Sequence, residues 1–169
     1  RLVVNDGQVD SVESTVVVTV SDVAPVAPTS EAPSGSGTES DPYLIASLNN
    51  LYWLSQTPSE WASGKYYVQT ADIDASTTSL LDNGAGWTPL GNSSTNFKAN
   101  YDGDGHMISG LFINRPTVTN VSFIGYGTGK ISNLGLENVN ITGKGSTAGF
   151  IARGSGVTIE KCYVTGTVK

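Results

Sequence analysis

Residues 102–106, with the sequence DGDGH, place two carboxylates and the one histidine of the chain within five positions. Two aspartates at positions i and i+2 supply hard oxygen ligands, so Asp102 and Asp104 are candidate ligands for Ca²⁺. Asp102 and His106 are also a candidate general base and its orienting partner. The structural alternative is a turn in which the glycines allow tight corners and the aspartates cap backbone amides. The sequence favours this turn, because the further ligands of a calcium loop do not follow.

Four other charged residues are candidates for catalysis. Asp72 and Asp74 flank Ile73, which we expect to face the core, so both carboxylates point away from it on one face. A pair of carboxylates for glycoside hydrolysis needs a cleft between them, and adjacent positions on one strand favour solvation or turn capping instead. Arg115 and Arg153 are the basic residues that a polysaccharide lyase would use, but no acidic cluster accompanies them. The sequence therefore predicts no catalytic residue.

Aromatic side chains concentrate in residues 52–67. Flat, amphipathic rings stack on sugars, but large apolar groups are also what covers the end of a hydrophobic core. The sequence favours the covering role and leaves carbohydrate stacking as the alternative. The candidate stacking residues are Tyr52, Trp53, Trp61 and Tyr66.

Composition and charge exclude several classes of function. The 169 residues carry a formal net charge of −6, which disfavours nucleic acid and anionic membranes as partners. Cys162 is the one cysteine, so no intrachain disulfide forms, and with one histidine it cannot complete a zinc site. No apolar run is long enough to cross a membrane. The chain opens at Arg1 in a strand-like sequence without a signal peptide, so we expect it to belong to a longer extracellular protein.

Four segments follow one another along the chain. Residues 1–23 alternate as two β-branched strands around a turn and predict a β-hairpin. Residues 24–41 are rich in Pro, Ser and Gly and predict an extended linker. Residues 42–96 combine one helical pattern with short strands and predict a cap. Residues 97–169 contain repeats.

The predicted cap begins with a helix. Leucines recur there at helical spacing, Ser47 is the expected N-cap, and Pro58 marks the end. The segment GKYYVQTADIDA (64–75) alternates like a strand, and Trp87 and Leu90 are expected to pack under the core. The leucines of the helical pattern are Leu44, Leu48, Leu51 and Leu54.

The repeats share the pattern Ile-x-x-(Leu/Cys)-x-aliphatic in HMISGLFIN (106–114), KISNLGLEN (130–138) and TIEKCYVTG (158–166). Units 23 to 28 residues apart that alternate inside and outside positions predict the stacked rungs of a parallel β-helix. In this alignment Cys162 falls in a column with Leu111 and Leu134, which places it in the interior.

Two resemblances follow from these segments. LVVNDGQVDSVESTVVVTV resembles the last two strands of the Ig-like PKD or cadherin-like repeats of bacterial surface proteins. YDGDGHMISGLFIN, ISNLGLENVNITG and AGFIARGSGVTIEKCYVTGTV resemble the GLUG-type repeats of bacterial extracellular β-helices, including adhesins and the non-catalytic regions of immunoglobulin A metallopeptidases. The resemblance implies an all-β, right-handed parallel β-helix with an N-terminal helix-containing cap, preceded by a hairpin from an Ig-like sandwich. It also implies a location at the bacterial cell surface or outside the cell.

The function predicted from these observations is structural or adhesive and not enzymatic, within a large surface or fibre protein. The expected partners are neighbouring domains or identical subunits, arranged head to tail in a filament, with a host or environmental glycan or protein as a further ligand. No cofactor is expected, with calcium as the candidate exception. The alternative function is a carbohydrate-binding or polysaccharide-processing domain. The expected assembly residues, on strands with open edges, are Val16, Val18, Val20, Val164 and Val168.

Overall fold

The computed structural model describes residues 24–169. The predicted hairpin at 1–23 lies outside these residues, and so do the assembly candidates Val16, Val18 and Val20. The helices are α1 (Leu48–Gln56) and three short 3₁₀ helices at Pro58–Trp61, Ser76–Leu80 and Asp82–Gly84. The strands are β1 (Tyr43–Ile45), β2 (Tyr66–Gln69), β3 (Ile73–Asp74), β4 (Asn100–Asp102), β5 (Met107–Ser109), β6 (Phe112–Asn114), β7 (Ile124–Gly127), β8 (Lys130–Ser132), β9 (Gly135–Thr142), β10 (Ile151–Gly154), β11 (Thr158–Glu160) and β12 (Tyr163–Val168).

These strands pair in parallel in three sheets. The first sheet has the order β1-β2-β4-β8-β11, the second has the order β12-β9-β5-β3 with β6 also paired to β9, and the third joins β10 to β7. Parallel strands must be joined by long crossover connections. Strands that are neighbours in space are therefore distant from each other in the sequence. The core lies between the sheets, and alternate side chains of β2, β4, β5, β6 and β8 are buried in it.

A stack of tyrosines runs through this core across the first sheet. The ring of Tyr67 lies 5.4 Å from that of Tyr43 and 6.3 Å from that of Tyr101, and both pairs are stacked. The Tyr101 hydroxyl donates a 3.0 Å hydrogen bond to Oε1 of the fully buried Gln69. Gln69 in turn donates to the carbonyl oxygens of Ala71 and Met107. The buried polar groups of this stack are thus paired, as low-dielectric surroundings demand.

The helix begins as the sequence predicts. The Ser47 hydroxyl accepts a hydrogen bond from the Asn50 amide, which confirms the predicted N-cap. The helix ends at Gln56, and Pro58 opens the 3₁₀ helix that follows. Leu44 does not belong to the helix as predicted, since it lies in β1. Within residues 24–169, no helix has the length and apolarity needed to cross a bilayer.

The segment predicted as a linker, residues 24–41, is bonded to the rest of the structure at several points. The Glu31 amide donates to the Asn49 carbonyl, and the Leu44 amide donates to the Ser34 carbonyl. Pro33 is buried. The second half of this segment therefore lies against α1 and β1.

Several corners of the repeats have the same backbone signature. An apolar residue at position i is followed by a residue with positive φ at i+2, and then by core residues at i+3 and i+5. The corner that starts at Ile131 has φ 51° at Asn133, and the corner that starts at Leu136 has φ 51° at Asn138. Asn and Gly tolerate this left-handed conformation better than other residues do. Gly110 has this position in the corner that starts at Ile108. Lys161 and Gly166 have it in the corners that start at Ile159 and Val164, where the residues at i+3 and i+5 are not buried.

This shared signature explains an error in the predicted repeat alignment. The prediction placed Ile108 over Ile131, but the structure pairs Ile108 with Leu136, and pairs Ile131 with Tyr101 and Ile159. Both corners have apolar residues at i, i+3 and i+5, so the pattern alone does not distinguish one corner from the other. The pairing of Ile131 with Ile159, in contrast, is as predicted.

The predicted fold class is wrong. The structure is not an all-β, right-handed parallel β-helix with a helical cap, because the described residues form mixed structure around three sheets of unequal size. Antiparallel bridges join Ser34 to Leu44 and Gly86 to Ile113, and helical segments alternate with strands between residues 48 and 84. The prediction treated residues 42–96 as a separate cap, whereas β1 and β2 belong to the first sheet and β3 belongs to the second.

Candidate functional site

The DGDGH segment forms a corner between β4 and β5. Oδ1 of Asp102 accepts hydrogen bonds from the Asp104 amide at 3.0 Å and from the side-chain amide of Asn133 at 2.8 Å. Asp104 is exposed and has φ 50°. Within residues 24–169, no group of three or more His, Cys, Asp or Glu side chains is arranged to hold a metal ion. The Asp102 carboxylate therefore caps the corner, and calcium binding by Asp102 and Asp104 stays a prediction.

His106 pairs with Asp72 and not with Asp102. Its Nδ1 atom lies 3.1 Å from Oδ1 of Asp72, and the same oxygen accepts a hydrogen bond from the Met107 amide. The Met107 amide and, to a smaller extent, His106 hold the pKa of the Asp72 carboxyl below its usual range. The pairing of Ile73 with Ile108 brings Asp72 close to His106. The sequence prediction missed this contact because it did not include the pairing of β3 with β5.

The guanidinium of Arg115 binds to the loop that precedes β4. Its guanidinium forms an ion pair of 2.8 Å with Asp82 and donates to the Gly86 carbonyl and the Thr88 hydroxyl. Arg153 is exposed, and its guanidinium lies 5.8 Å from the centre of the Tyr126 ring. Neither arginine therefore lies beside a cluster of carboxylates.

The structure does not bring the four candidate stacking residues together. Trp61 is only 3% exposed, and its indole N–H donates to the Leu54 carbonyl, so its ring faces are covered. Trp53 packs edge-on against Tyr43, and Tyr52 is half-buried on α1. Tyr66 points outward from β2, away from the core.

Tyr66 opens onto a groove of about 370 Å³ on the outer face of the first sheet. Parallel pairing places Tyr66, Asn100 and Lys130 side by side on β2, β4 and β8. A second outward row places Asp102 beside Ser132. We call this surface the outer groove, and Glu39 and Pro42, which precede β1, complete its lining.

A second exposed surface lies on the last two strands of the described residues. Strand β11 pairs only with β8, and β12 pairs only with β9, among the described residues. Cys162, predicted to be interior, is half-buried against the core. The large apolar side chains exposed on these strands, which we call the apolar edge, are Ile159, Tyr163, Val164 and Val168.

The sequence and the fold were each compared with those of known proteins. No family model matches the chain. Halomucin of Haloquadratum walsbyi is 32% identical over 139 residues, which are 79% of this chain and 2% of that protein. A "Putative Gly-rich membrane protein" of Evansella cellulosilytica is 32% identical over 117 residues, which are 68% of this chain and 13% of that protein.

One solved structure has a similar fold. It is the crystal structure of "a putative immunoglobulin A1 protease from Bacteroides ovatus", and it aligns with a TM-score of 0.57 at 26% sequence identity. The alignment covers 78% of this chain and 40% of that chain. The chain thus spans less than half the length of each of these three proteins, and it is similar to a part of each.

Proposed function

We propose that this chain is a non-catalytic structural or adhesive module of a large protein at the cell surface or outside the cell. The observation that carries the proposal is that the candidate catalytic side chains form hydrogen bonds with the backbone. Asp102, Asp72 and Asp74 each accept a hydrogen bond from a nearby backbone amide, and Arg115 donates to backbone carbonyls. Groups that are held in this way stabilise corners and loops, and this structural role accounts for them without a catalytic one.

Three further observations support the location. The two relatives in sequence are called a halomucin and a Gly-rich membrane protein, and this chain is similar to only a small part of either. The resemblance of the repeats to GLUG-type segments points to the same setting. The acidic net charge of −6 fits a chain that stays soluble outside a cell.

The location is tested by shaving intact cells of the native organism with a protease. We expect an antibody against residues 24–169 to lose its signal on intact cells after the treatment, while a cytoplasmic marker stays intact. A signal that is lost only after lysis would contradict a surface location.

The non-catalytic assignment is tested with immunoglobulin A1, because the neighbour of known structure is named after a protease of that antibody. The full chain is incubated with immunoglobulin A1, and intact heavy chain is expected at all times. If cleavage occurs, the proposal fails. The variant Asp72→Asn with His106→Gln would then show whether the exposed carboxylate–imidazole pair is responsible.

The apolar edge is, within this proposal, a contact surface for strands of the same repeat type, from a neighbouring domain or an identical subunit. Exposed apolar side chains on strands with open hydrogen-bonding groups favour strand addition. The isolated chain is then expected to self-associate in sedimentation velocity as its concentration rises. Val164→Lys with Val168→Lys should abolish this, whereas Val26→Lys, at a site that is 72% exposed elsewhere, should not. A chain that stays monomeric at all concentrations would contradict a contact between identical subunits.

A further inference from the structure

We propose that the outer groove binds a neutral oligosaccharide, with the ring of Tyr66 as its stacking platform. This inference goes beyond a structural role, and it does not depend on the apolar edge. It rests on the chemistry of the groove, on its charge and on its dimensions.

The chemistry combines a ring with free hydrogen-bonding groups. Tyr66 is half-buried, so part of its side chain stays open to solvent. Among residues 24–169, the Tyr66 hydroxyl and the side chains of Asn100 and Ser132 make no hydrogen bond, and all three line the groove. An aromatic surface beside amide and hydroxyl groups suits the apolar faces and the hydroxyls of a sugar.

One carboxylate of the groove is only partly occupied. Oδ1 of Asp102, which also lines the groove, holds the Asp104 amide and Asn133, so Oδ2 remains as an acceptor. On the second sheet, the Tyr163 hydroxyl donates a hydrogen bond to the Glu137 carboxylate. The outer groove thus offers several unused donors and acceptors beside one aromatic ring.

The charge of the groove favours a neutral ligand. Lys130 is the one basic side chain of the lining, and its Nζ lies 2.9 Å from the Glu160 carboxylate. Glu39 and Asp102 add negative charge. A phosphate, nucleic acid or uronate ligand would meet no free cation in this lining, whereas an uncharged polyol needs none.

The dimensions fit a linear chain of sugars. Neighbouring strands are about 4.8 Å apart, so side chains in register on β2, β4 and β8 recur at a spacing close to the length of one pyranose ring. A glycan that crosses the strands would meet Tyr66, then Asn100, then Lys130. The volume of about 370 Å³ is within the range of small-ligand sites.

The test titrates the full 169-residue chain with cellohexaose, xylohexaose, mannohexaose and chitohexaose, followed by heteronuclear NMR and calorimetry. We expect at least one of these neutral glycans to shift the amide signals of β2, β4 and β8. The binding should change little between low and high salt, because no ion pair forms with the ligand. Oligogalacturonate serves as the anionic comparison.

Two variants identify the site. Tyr66→Ala should weaken binding by roughly tenfold or more, and Asn100→Ala should weaken it as well, with unchanged circular dichroism. Tyr52→Ala is the matched control, since it removes a half-buried tyrosine of α1 that does not line the groove. Binding that survives both groove variants, or that is lost in Tyr52→Ala alone, would overturn the proposal. So would the absence of binding to all four neutral glycans at millimolar concentration, or a preference for oligogalacturonate.

Discussion

The side-chain amide of Asn133 donates a 2.8 Å hydrogen bond to Oδ1 of Asp102, across adjacent strands of the first sheet. The same oxygen accepts the Asp104 amide. Oδ1 of Asp102 therefore caps the corner between β4 and β5, and it also links this corner by a hydrogen bond to the corner between β8 and β9 in the next repeat. The acidic motif that first suggests chemistry is explained by this double contact.

Asp102→Ala should destabilise the fold by about 1–3 kcal/mol, because it leaves a partly buried amide and a backbone N–H without their acceptor. Urea unfolding measures this change. Asp104→Gly is the control, since it also removes one negative charge, but Gly accepts the positive φ of that position without strain. Equal losses in the two variants would mean that the charge, and not the hydrogen bonds, is what matters.

Lys161→Asn should stabilise the fold by about 0.5–1 kcal/mol. Lys161 has φ 53°, and its counterpart in the preceding repeat is Asn133, which tolerates this conformation better. The control is Lys144→Asn, at an exposed lysine that is absent from the positive-φ residues, and it should change the unfolding midpoint little. If both lysine variants have the same midpoint, the left-handed corner is not a source of strain.

Gly91 and Gly84 test close packing separately from backbone conformation. Both have positive φ, but a Cβ at Gly91 would overlap the Tyr126 carbonyl, whereas a Cβ at Gly84 meets nothing within 4 Å. Gly84→Ala should therefore cost about 1 kcal/mol, and Gly91→Ala at least about 2 kcal/mol more. Thermal unfolding of the two variants measures the difference, and equal costs would contradict the close approach of the two chain segments.

Glu60 should make stability depend on acid pH. The Lys65 ammonium, at 2.6 Å, together with the Tyr43 hydroxyl, holds the pKa of the Glu60 carboxyl below its ordinary value of 4.5. The folded state then binds this proton more weakly than the unfolded state does. The stabilisation is present above pH 4.5 and is lost as the pH falls through the lowered pKa.

Glu60→Gln should therefore destabilise the protein at pH 7 by on the order of 0.5–1 kcal/mol, and the gap from the wild type should close in acid. Urea midpoints of both proteins across this pH range measure it. Glu31→Gln is the control, since Glu31 is an exposed carboxylate without an ion pair among the described residues. A gap for Glu60→Gln that is constant with pH would contradict the ion pair as its cause.

The sequence predicts local features of this protein better than its architecture. The Ser47 cap and the burial of Trp87 and Leu90 follow from helix-capping preferences and apolar position, and the structure confirms them. These features depend on residues that are close in sequence. The fold class depends on which strands pair across long stretches of chain, and two corners with the same apolar spacing made this pairing ambiguous.

The candidate site shows the same division. The turn role of the DGDGH segment follows from its glycines, but the partner of His106 depends on β3 lying beside β5, which no local pattern indicates. The outer groove is a property of register: Tyr66 and Lys130 are far apart in sequence, and they share a surface only because Asn100 lies between them. The alternation in residues 64–75, in contrast, already places Tyr66 and Tyr67 on opposite faces of one strand.

The corner between β4 and β5 is two residues longer than its counterpart between β8 and β9, yet Tyr101 still pairs with Ile131 and Ile108 with Leu136. The number of residues in this corner can therefore vary while the register of the strand pairing on either side stays the same. Asp104 and Gly105 are exposed, so this corner is suited to the insertion of a foreign peptide. A peptide epitope inserted between them would be displayed at the surface while the paired strands on either side stay folded.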